Sequence, residues 1–265
     1  MTTVAYQPNL SKESDEQIEQ RLSERFSILE KLTDACITGN ARSLVISGPA
    51  GLGKSYTVEQ KLSGWDPNCI NHTIVKGYVR TTGLVKTLYR YRNAGSVVVF
   101  DDADSIFFDD NSLTILKAVC DTTEKRRIHY LSEGTLIDEE SAERIPKIFE
   151  FDGTVIFITN YDFDAMIQRN HKLTPHFQAL VSRSHYIDLS MKSRRDYLVR
   201  IRQVICQGLL SFLTPEEQVD VYDYIETHHP KLRELSLRMA IKLANIRKDN
   251  GSEWKQIANV TCCKG

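Results

Sequence analysis

The stretch from Leu44 to Ser55 reads Leu-Val-Ile-Ser-Gly-Pro-Ala-Gly-Leu-Gly-Lys-Ser. Three β-formers run into a glycine-rich stretch that ends in Lys-Ser, and the residues after it read as a helix. This is G-x-x-x-x-G-K-[ST] between a strand and a helix. A loop that wraps a phosphate must turn its backbone N–H groups inward, and glycines at 48, 51 and 53 permit that path. The following helix points its positive end at the anion. Lys54 can then reach the β- and γ-phosphates of a nucleotide, and Ser55 can ligate Mg²⁺. Gly48, Pro49, Ala50, Gly51, Leu52, Gly53, Lys54, Ser55 and the next residue, Tyr56, form the candidate nucleotide-binding set.

Further residues fit the same chemistry. Asp101-Asp102 follows the apolar run Val97-Val98-Val99-Phe100. A carboxylate at such a strand end can hold Mg²⁺, which assigns Asp101 to the metal with Ser55, and a second, Asp102, can polarise the attacking water. Asn160 ends another apolar run, where an amide can orient water against the γ-phosphate. Arg183 precedes a later strand at a position expected to be exposed, from which it can reach a neighbouring subunit's nucleotide as a finger. Arg238 lies two residues after Ser236, at the open end of a helix, with Arg233 as its competitor. The structural alternatives are a solvated acidic strand end, a turn-forming Asn and surface arginines. Should these assignments fail, Asp104 is the next carboxylate, and Arg169 and Lys172 are the next finger candidates.

The elements that must position these groups are legible in hydrophobic spacing. Residues 1–10 read as an arm with little structure of its own, and Lys12 to Ile37 as a helix with Ile18, Leu22, Leu29, Leu32 and Cys36 recurring at three or four. Strands are expected at 43–47, 72–79, 96–100, 154–158 and 185–189, with helices between them. Continuous apolar strands separated by helices mean a parallel sheet covered on both faces. Residues 126–152 suit a β-hairpin or insertion. From Met191 onward only helices are expected. Thr214-Pro215-Glu216-Glu217 is a capping box with proline at its first position, and Ser236 caps another helix. The chain thus divides into an arm (1–19), an α/β nucleotide-binding domain (20–190) and an α-helical lid (191–265).

The totals exclude several classes. The chain has 265 residues, 41% hydrophobic and 26% charged, with net charge −1. That is an ordinary globular composition, with no overall field drawing it to nucleic acid or membrane, so any nucleic-acid surface must be local. No stretch approaches the roughly 18 apolar residues of a membrane span. Met1 to Leu10 lacks a basic region followed by an apolar run, so no signal peptide is expected. Six cysteines show no C-x-x-C spacing. Cys36, Cys120 and Cys206 read as small core residues, Cys262-Cys263 as a frayed, reduced tail in preference to a redox pair, and a reducing cytoplasm fits. The seven histidines form no metal-ligand spacing.

Five segments come in the order of the AAA+ ATPases: Gly48 to Ser55, Val97 to Asp102, Phe157-Ile158-Thr159-Asn160, Leu180-Val181-Ser182-Arg183 and Leu235-Ser236-Leu237-Arg238. They resemble that superfamily's Walker A, Walker B, sensor 1, arginine finger and sensor 2. The resemblance spans about residues 20–250 and is to a compact, phage-type AAA+ protein. It implies a five-stranded parallel sheet in order 5-1-4-3-2 with a C-terminal helical lid. It also implies a ring, often of six subunits, with nucleotide at subunit interfaces. The expected activity is Mg²⁺-dependent hydrolysis of ATP to ADP and phosphate. Two departures stand out. The family usually has Asp-Glu where this chain has Asp101-Asp102, and the shorter Asp102 must approach the water more closely or act through another water. Protein-threading relatives carry an aromatic-hydrophobic-glycine trio after the second strand. Here Gly77-Tyr78-Val79 holds similar residues in a different order, expected within the strand.

The client is open among three classes. Basic residues at Arg80 and at Lys125-Arg126-Arg127 resemble the family's pore-facing loop and pre-sensor hairpin. They point to a DNA-acting motor, such as a helicase, loader or recombination or replication factor, that grips DNA through Arg80, Arg126 and Arg127. Tyr78-Val79 supports a protein remodeller with a protein partner. Asp102 supports a regulatory nucleotide-binding module with weak turnover.

Overall fold

The structure is a computed structural model that describes residues 13–169 and 172–264. The expected arm at 1–10 and the expected helix start at Lys12 lie outside the described residues. The chain forms two compact units. Of the described residues, one comprises Ser27–Pro49 and Lys54–Ser190; the other takes in 13–26, Ala50–Gly53 and 191–264.

The first unit is built on five parallel strands: β1 (Ser43–Ser47), β2 (His72–Lys76), β3 (Val97–Asp101), β8 (Thr154–Thr159) and β9 (His185–Asp188). Their order across the sheet is β2-β3-β8-β1-β9. Counting only these five, the order from the β9 edge is fifth, first, fourth, third, second, as the resemblance implies. Every residue of β1, β3 and β8 is buried, which is why they read as continuous apolar runs rather than alternating ones. Helices α2 (Lys54–Trp65), α3 (Thr81–Arg90), α4 (Asp110–Val119), α5 (Phe163–Gln168) and α6 (Thr174–Arg183) fall between the strands in sequence. Asp109 caps α4, its side chain accepting from Ser112 N, and Asp162 caps α5 in the same way. Aromatic rings fill the core, with Phe100 stacked on Phe157 at 5.7 Å and Phe107 edge-on to Phe157 and Phe163. Each such ring contributes about 1.5–3 kcal/mol by leaving water.

Register aligns the strand ends. Ser47 pairs with Thr159, and Asp101 pairs with Ile158 and with Lys76. The carboxyl ends of β1, β3 and β8 therefore meet at one edge, where open α/β sheets bind ligands.

The insertion before β8 holds two short antiparallel pairs, β4 (Arg127–His129) with β7 (Ile148–Glu150) and β5 (Leu136–Ile137) with β6 (Arg144–Ile145). Asp138, buried beside β5, accepts from Arg90 Nη2 at 2.9 Å and Nε at 3.1 Å. Arg90 holds this carboxyl down at about 2.

The second unit contains α7 (Arg194–Cys206), α8 (Pro215–His228), α9 (Leu237–Asn250) and α10 (Trp254–Cys262). Ser193 and Ser236 cap α7 and α9, and Thr214 with Glu217 forms the capping box of α8. Leu210, Val221, Ile225, Leu243 and Trp254 lie in its core. Helix α1 (Asp15–Ile37) supplies Ile18 and Leu22, which pack with Val199. Among the described residues, no helix is long and apolar enough to cross a membrane.

Three local expectations are corrected. Strand β2 ends at Lys76, because Gly77 takes φ 87°, so Gly77-Tyr78-Val79 lies outside the strand. Val79 turns inward, its N–H and C=O both bonded to the Ser105 hydroxyl, whereas Tyr78 is 78% exposed. Cys206 is exposed, unlike Cys36 and Cys120. Finally, the Cys262-Cys263 tail is docked: both are buried, Arg233 N donates to Cys262 O at 2.9 Å, and the Tyr224 hydroxyl lies 3.5 Å from Cys263 Sγ.

Candidate functional site

Lys54 and Ser55 open α2 directly after the glycine-rich loop. No acidic residue sits in the first turn of α2, so its positive end is not offset from within the helix. Leu52 is buried, and Tyr56 is exposed on α2. Lys54 is only 5% exposed. Its ammonium donates to the carbonyls of Gly48 and Pro49, the latter at 2.8 Å, and to Asn160 Oδ1 at 3.0 Å. The other end of the same amide, Asn160 Nδ2, donates to Asp102 Oδ1 at 2.8 Å. Ser55 Oγ donates to Asp101 Oδ1 at 2.8 Å, and Lys76 Nζ stands 3.4 Å from Asp101 Oδ2.

The strand ends explain this convergence. Asp101 is the last residue of β3 and is buried. Asp102 leaves the strand in a left-handed conformation, φ 52°, with its N–H held by Ile158 O at 3.0 Å. A non-glycine residue pays a small strain for that conformation, and it separates the two carboxylates: Asp101 is buried and meets Ser55, while Asp102 is exposed and meets Asn160. Asp104 is a further carboxylate in the cluster. It accepts from Thr159 Oγ1 at 2.6 Å, and burial, reinforced by Asp102 and Asp101, pushes its carboxyl up. The sequence signal for it is the third acid of Asp101-Asp102-Ala103-Asp104, and its partner Thr159 carries no signal.

Among the described residues, no group of three His, Cys, Asp or Glu is placed to hold a metal ion. Ser55 and Asp101 nevertheless offer hard oxygens, a hydroxyl and a carboxylate, to one point. That donor set suits Mg²⁺, which takes one or two protein oxygens together with waters and phosphates.

In the second unit, the tip of the loop packs with the start of α9. Leu237 N donates to Gly51 O at 2.8 Å, and a Cβ at Gly51 would stand 2.6 Å from Ser236 Cβ. Glycine is required there, with φ 73°. Arg238 is exposed, its Cγ 3.8 Å from that same point, whereas Arg233 is beside the docked C-terminal tail. Of the two competitors, Arg238 is the one beside the loop.

Other sequence candidates lie apart from these groups. Arg183 ends α6 half-buried rather than exposed. Its Nη1 donates to Ala179 O at 3.1 Å, and its Nε is 3.8 Å from Asp121. Arg169 and Lys172 are exposed. Arg80 is exposed at the start of α3, and Arg127 is exposed and paired with Glu150 at 3.1 Å. Arg126 contradicts its assignment to a DNA surface. It is 4% exposed, donates to Val119 O at 2.9 Å and Gly153 O at 2.7 Å, and lies over the Phe151 ring. Burial lowers its guanidinium to about 10. Strand alternation explains the error: adjacent residues at the start of β4 face opposite ways.

No family model matches the chain. An uncharacterized 36.7 kDa protein from the nrdC-mobD intergenic region of Enterobacteria phage T4 is 36% identical over 251 residues, covering 93% of this chain and 76% of the phage protein. A point mutant of RuvB from Thermotoga maritima is similar in structure, with TM-score 0.50 and 12% identity over 91% of this chain and 69% of RuvB. NtrX from Brucella abortus, crystallised with ATP, gives TM-score 0.49 and 12% identity over 95% of this chain. The chain spans 55% of the length of NtrX. RuvB is an AAA+ ATPase. The chain belongs to the same family as the phage T4 protein, and its fold is that of the AAA+ ATPases.

Proposed function

We propose that this protein is a Mg²⁺-dependent ATPase of the AAA+ type, acting on DNA as a ring of identical subunits. The observation that carries the ATPase reading is the hydrogen-bonded set Lys54–Asn160–Asp102 beside Ser55–Asp101. Residues 20–190 serve as the nucleotide-binding domain and 191–265 as the lid, in a cytoplasmic protein. The loop at 48–53 wraps the phosphates with its N–H groups, and Lys54 exchanges Gly48 O, Pro49 O and Asn160 Oδ1 for β- and γ-phosphate oxygens. Ser55 and Asp101 would hold Mg²⁺, which would supply charge neutralisation to the phosphate oxygens. Asn160 and Asp102 position the attacking water. Its oxygen bonds to the γ-phosphorus, the bond to the β–γ bridging oxygen breaks with its electron pair leaving on ADP, and the water proton passes to the Asp102 carboxylate. Arg238 meets the phosphates from beside Gly51. Arg183 serves the neighbouring subunit's nucleotide after leaving Ala179 O and Asp121.

Arg80 and Arg127 are exposed cations suited to DNA phosphates, and DNA replication or recombination is the setting such a motor would serve. One observation favours a second reading: Tyr78 stands exposed beside Arg80 on the segment after β2, as a remodeller's grip on polypeptide would. ATPase rate measured with single-stranded DNA, duplex DNA and unfolded protein added in turn separates the two. Stimulation by DNA supports the motor. Stimulation by unfolded protein alone overturns it in favour of the remodeller, and no stimulation by any leaves a regulatory module.

A further inference from the structure

Arg200, on α7, is buried, and among the described residues it has no counter-ion. It is 7% exposed. Its guanidinium carbon lies 3.5 Å over the Phe26 ring, and its Nη1 donates to the neutral amide oxygen of Gln203 at 2.7 Å. Among the described residues its Nε has no hydrogen-bond partner. Burial lowers its proton affinity to about 10.

Two other arginines show what a compensated cation looks like in this chain. Arg21, whose Nε and Nη1 likewise have no hydrogen-bond partner among the described residues, has carboxylates beside it, Glu13 at 2.8 Å and Asp196 at 3.1 Å. Arg126 gives its terminal nitrogens to two backbone carbonyls. An unpaired buried charge is costly, and folds keep one where a ligand or a task compensates it.

The position of Arg200 says which ligand. Its Nη2 lies 3.7 Å from where a Cβ on Gly53 would stand. Gly53 belongs to the loop that wraps phosphate and directly precedes Lys54. The Phe26 ring fixes the guanidinium plane from one side and leaves its edge for a planar, charge-assisted contact. We propose that Arg200 binds a phosphate group of the nucleoside polyphosphate at the Gly53 side of the loop, so that the nucleotide supplies the anion the fold withholds. The proposal rests on the nucleotide-binding reading above and adds to it a phosphate ligand from the first helix after Ser190.

The test is calorimetric affinity for ATP, ADP and adenosine in the full chain, for the parent, Arg200→Gln and Arg200→Lys. Arg200→Gln is expected to weaken ATP and ADP by about ten- to a hundredfold, the range of a hydrogen bond to a charged group, and to leave adenosine unchanged. Arg200→Lys keeps the charge and should recover part of the loss. Melting without nucleotide provides a second readout: Arg200→Gln should melt no lower than the parent, because an uncompensated charge has been removed. ATP affinity equal to the parent's overturns the proposal. So does equal weakening of ATP and adenosine, which would make Arg200 a base contact. A nucleotide-free melting point that falls with unchanged ATP:ADP:adenosine ratios would make it a packing residue and also overturns the proposal. A parent that binds no nucleotide overturns the phosphate-loop reading itself, a different result from a parent that binds and a variant that binds equally well.

Discussion

Lys54 and Arg200 are both buried cations, and they are buried in opposite ways. Lys54 gives its ammonium to Gly48 O, Pro49 O and Asn160 Oδ1. Arg200 has one neutral amide, an aromatic face and an idle Nε. On the proposed nucleotide-binding reading, phosphate would compete for Lys54 with bonds already made, whereas at Arg200 it would find an Nε with no bond to release. The strand-end groups are thus closed on one another before ligand arrives, with Ser55 on Asp101 and Asn160 on Asp102. Which cation a ligand meets at least cost depends on existing partners, and residue type alone does not reveal them.

The same contrast between committed and available cations orders the expected effects. The largest falls on turnover. Arg183→Ala is expected to keep ATP binding and to lower the hydrolysis rate about 10³-fold or more, the usual contribution of an arginine finger. Mixing it with Lys54→Ala subunits should restore some activity, because one interface then joins an intact loop to an intact finger. Lack of recovery with demonstrated subunit exchange moves the finger to Arg169 or Lys172. Asp102→Asn belongs beside it, with nucleotide affinity retained and steady-state phosphate release lost, whereas Asp101→Asn should lower affinity in the presence of Mg²⁺.

The next effect falls on stability. Arg126→Ala leaves two buried carbonyls, Val119 O and Gly153 O, without their donor. At about 1–3 kcal/mol for each unsatisfied group, urea unfolding should show a loss of about 2–6 kcal/mol. Arg127→Ala, one residue on, removes only an exposed pair with Glu150, and the same assay should move by under about 1 kcal/mol. Equal losses at the two positions would break the distinction between spent and available cations.

The smallest effect is the salt dependence of DNA affinity. Changing Arg80 and Arg127 to alanine should flatten the log–log slope by about 0.7–0.9 for each phosphate no longer neutralised, with little change in nucleotide-stimulated melting. Parent-like DNA binding in the double variant would remove these arginines from the interface.

The sheet and the loop were legible in the sequence for a physical reason. A strand buried on both faces must be apolar throughout, and Val97 to Phe100 and Thr154 to Ile158 can be little else. Gly48, Lys54 and Ser55 are fixed by one short motif, and Asp101, Asp102 and Asn160 follow from strand ends. What the sequence does not carry is direction. Arg126 and Arg127 are equal as letters, and only β4 pairing with β7 sends one inward. Gly77 ends β2 through a backbone angle that the string of β-formers around it does not signal. Cys262-Cys263 looks like a tail because its partners, Tyr224, Leu232 and Arg233, are distant in sequence. Arg200 escapes notice for the same reason: an arginine on a helix becomes unusual only when Phe26 closes over it and no carboxylate among the described residues pairs with it.

The most direct measurement of nucleotide binding through Lys54 is ATP titration onto the parent and onto Lys54→Ala with Mg²⁺ present, each shown to be folded by its melting curve. Saturable binding by the parent and loss of tight binding in Lys54→Ala are expected, since the variant lacks the buried ammonium that must move from Gly48 O, Pro49 O and Asn160 to the phosphates. Equal ATP affinity in the two folded proteins would contradict that role.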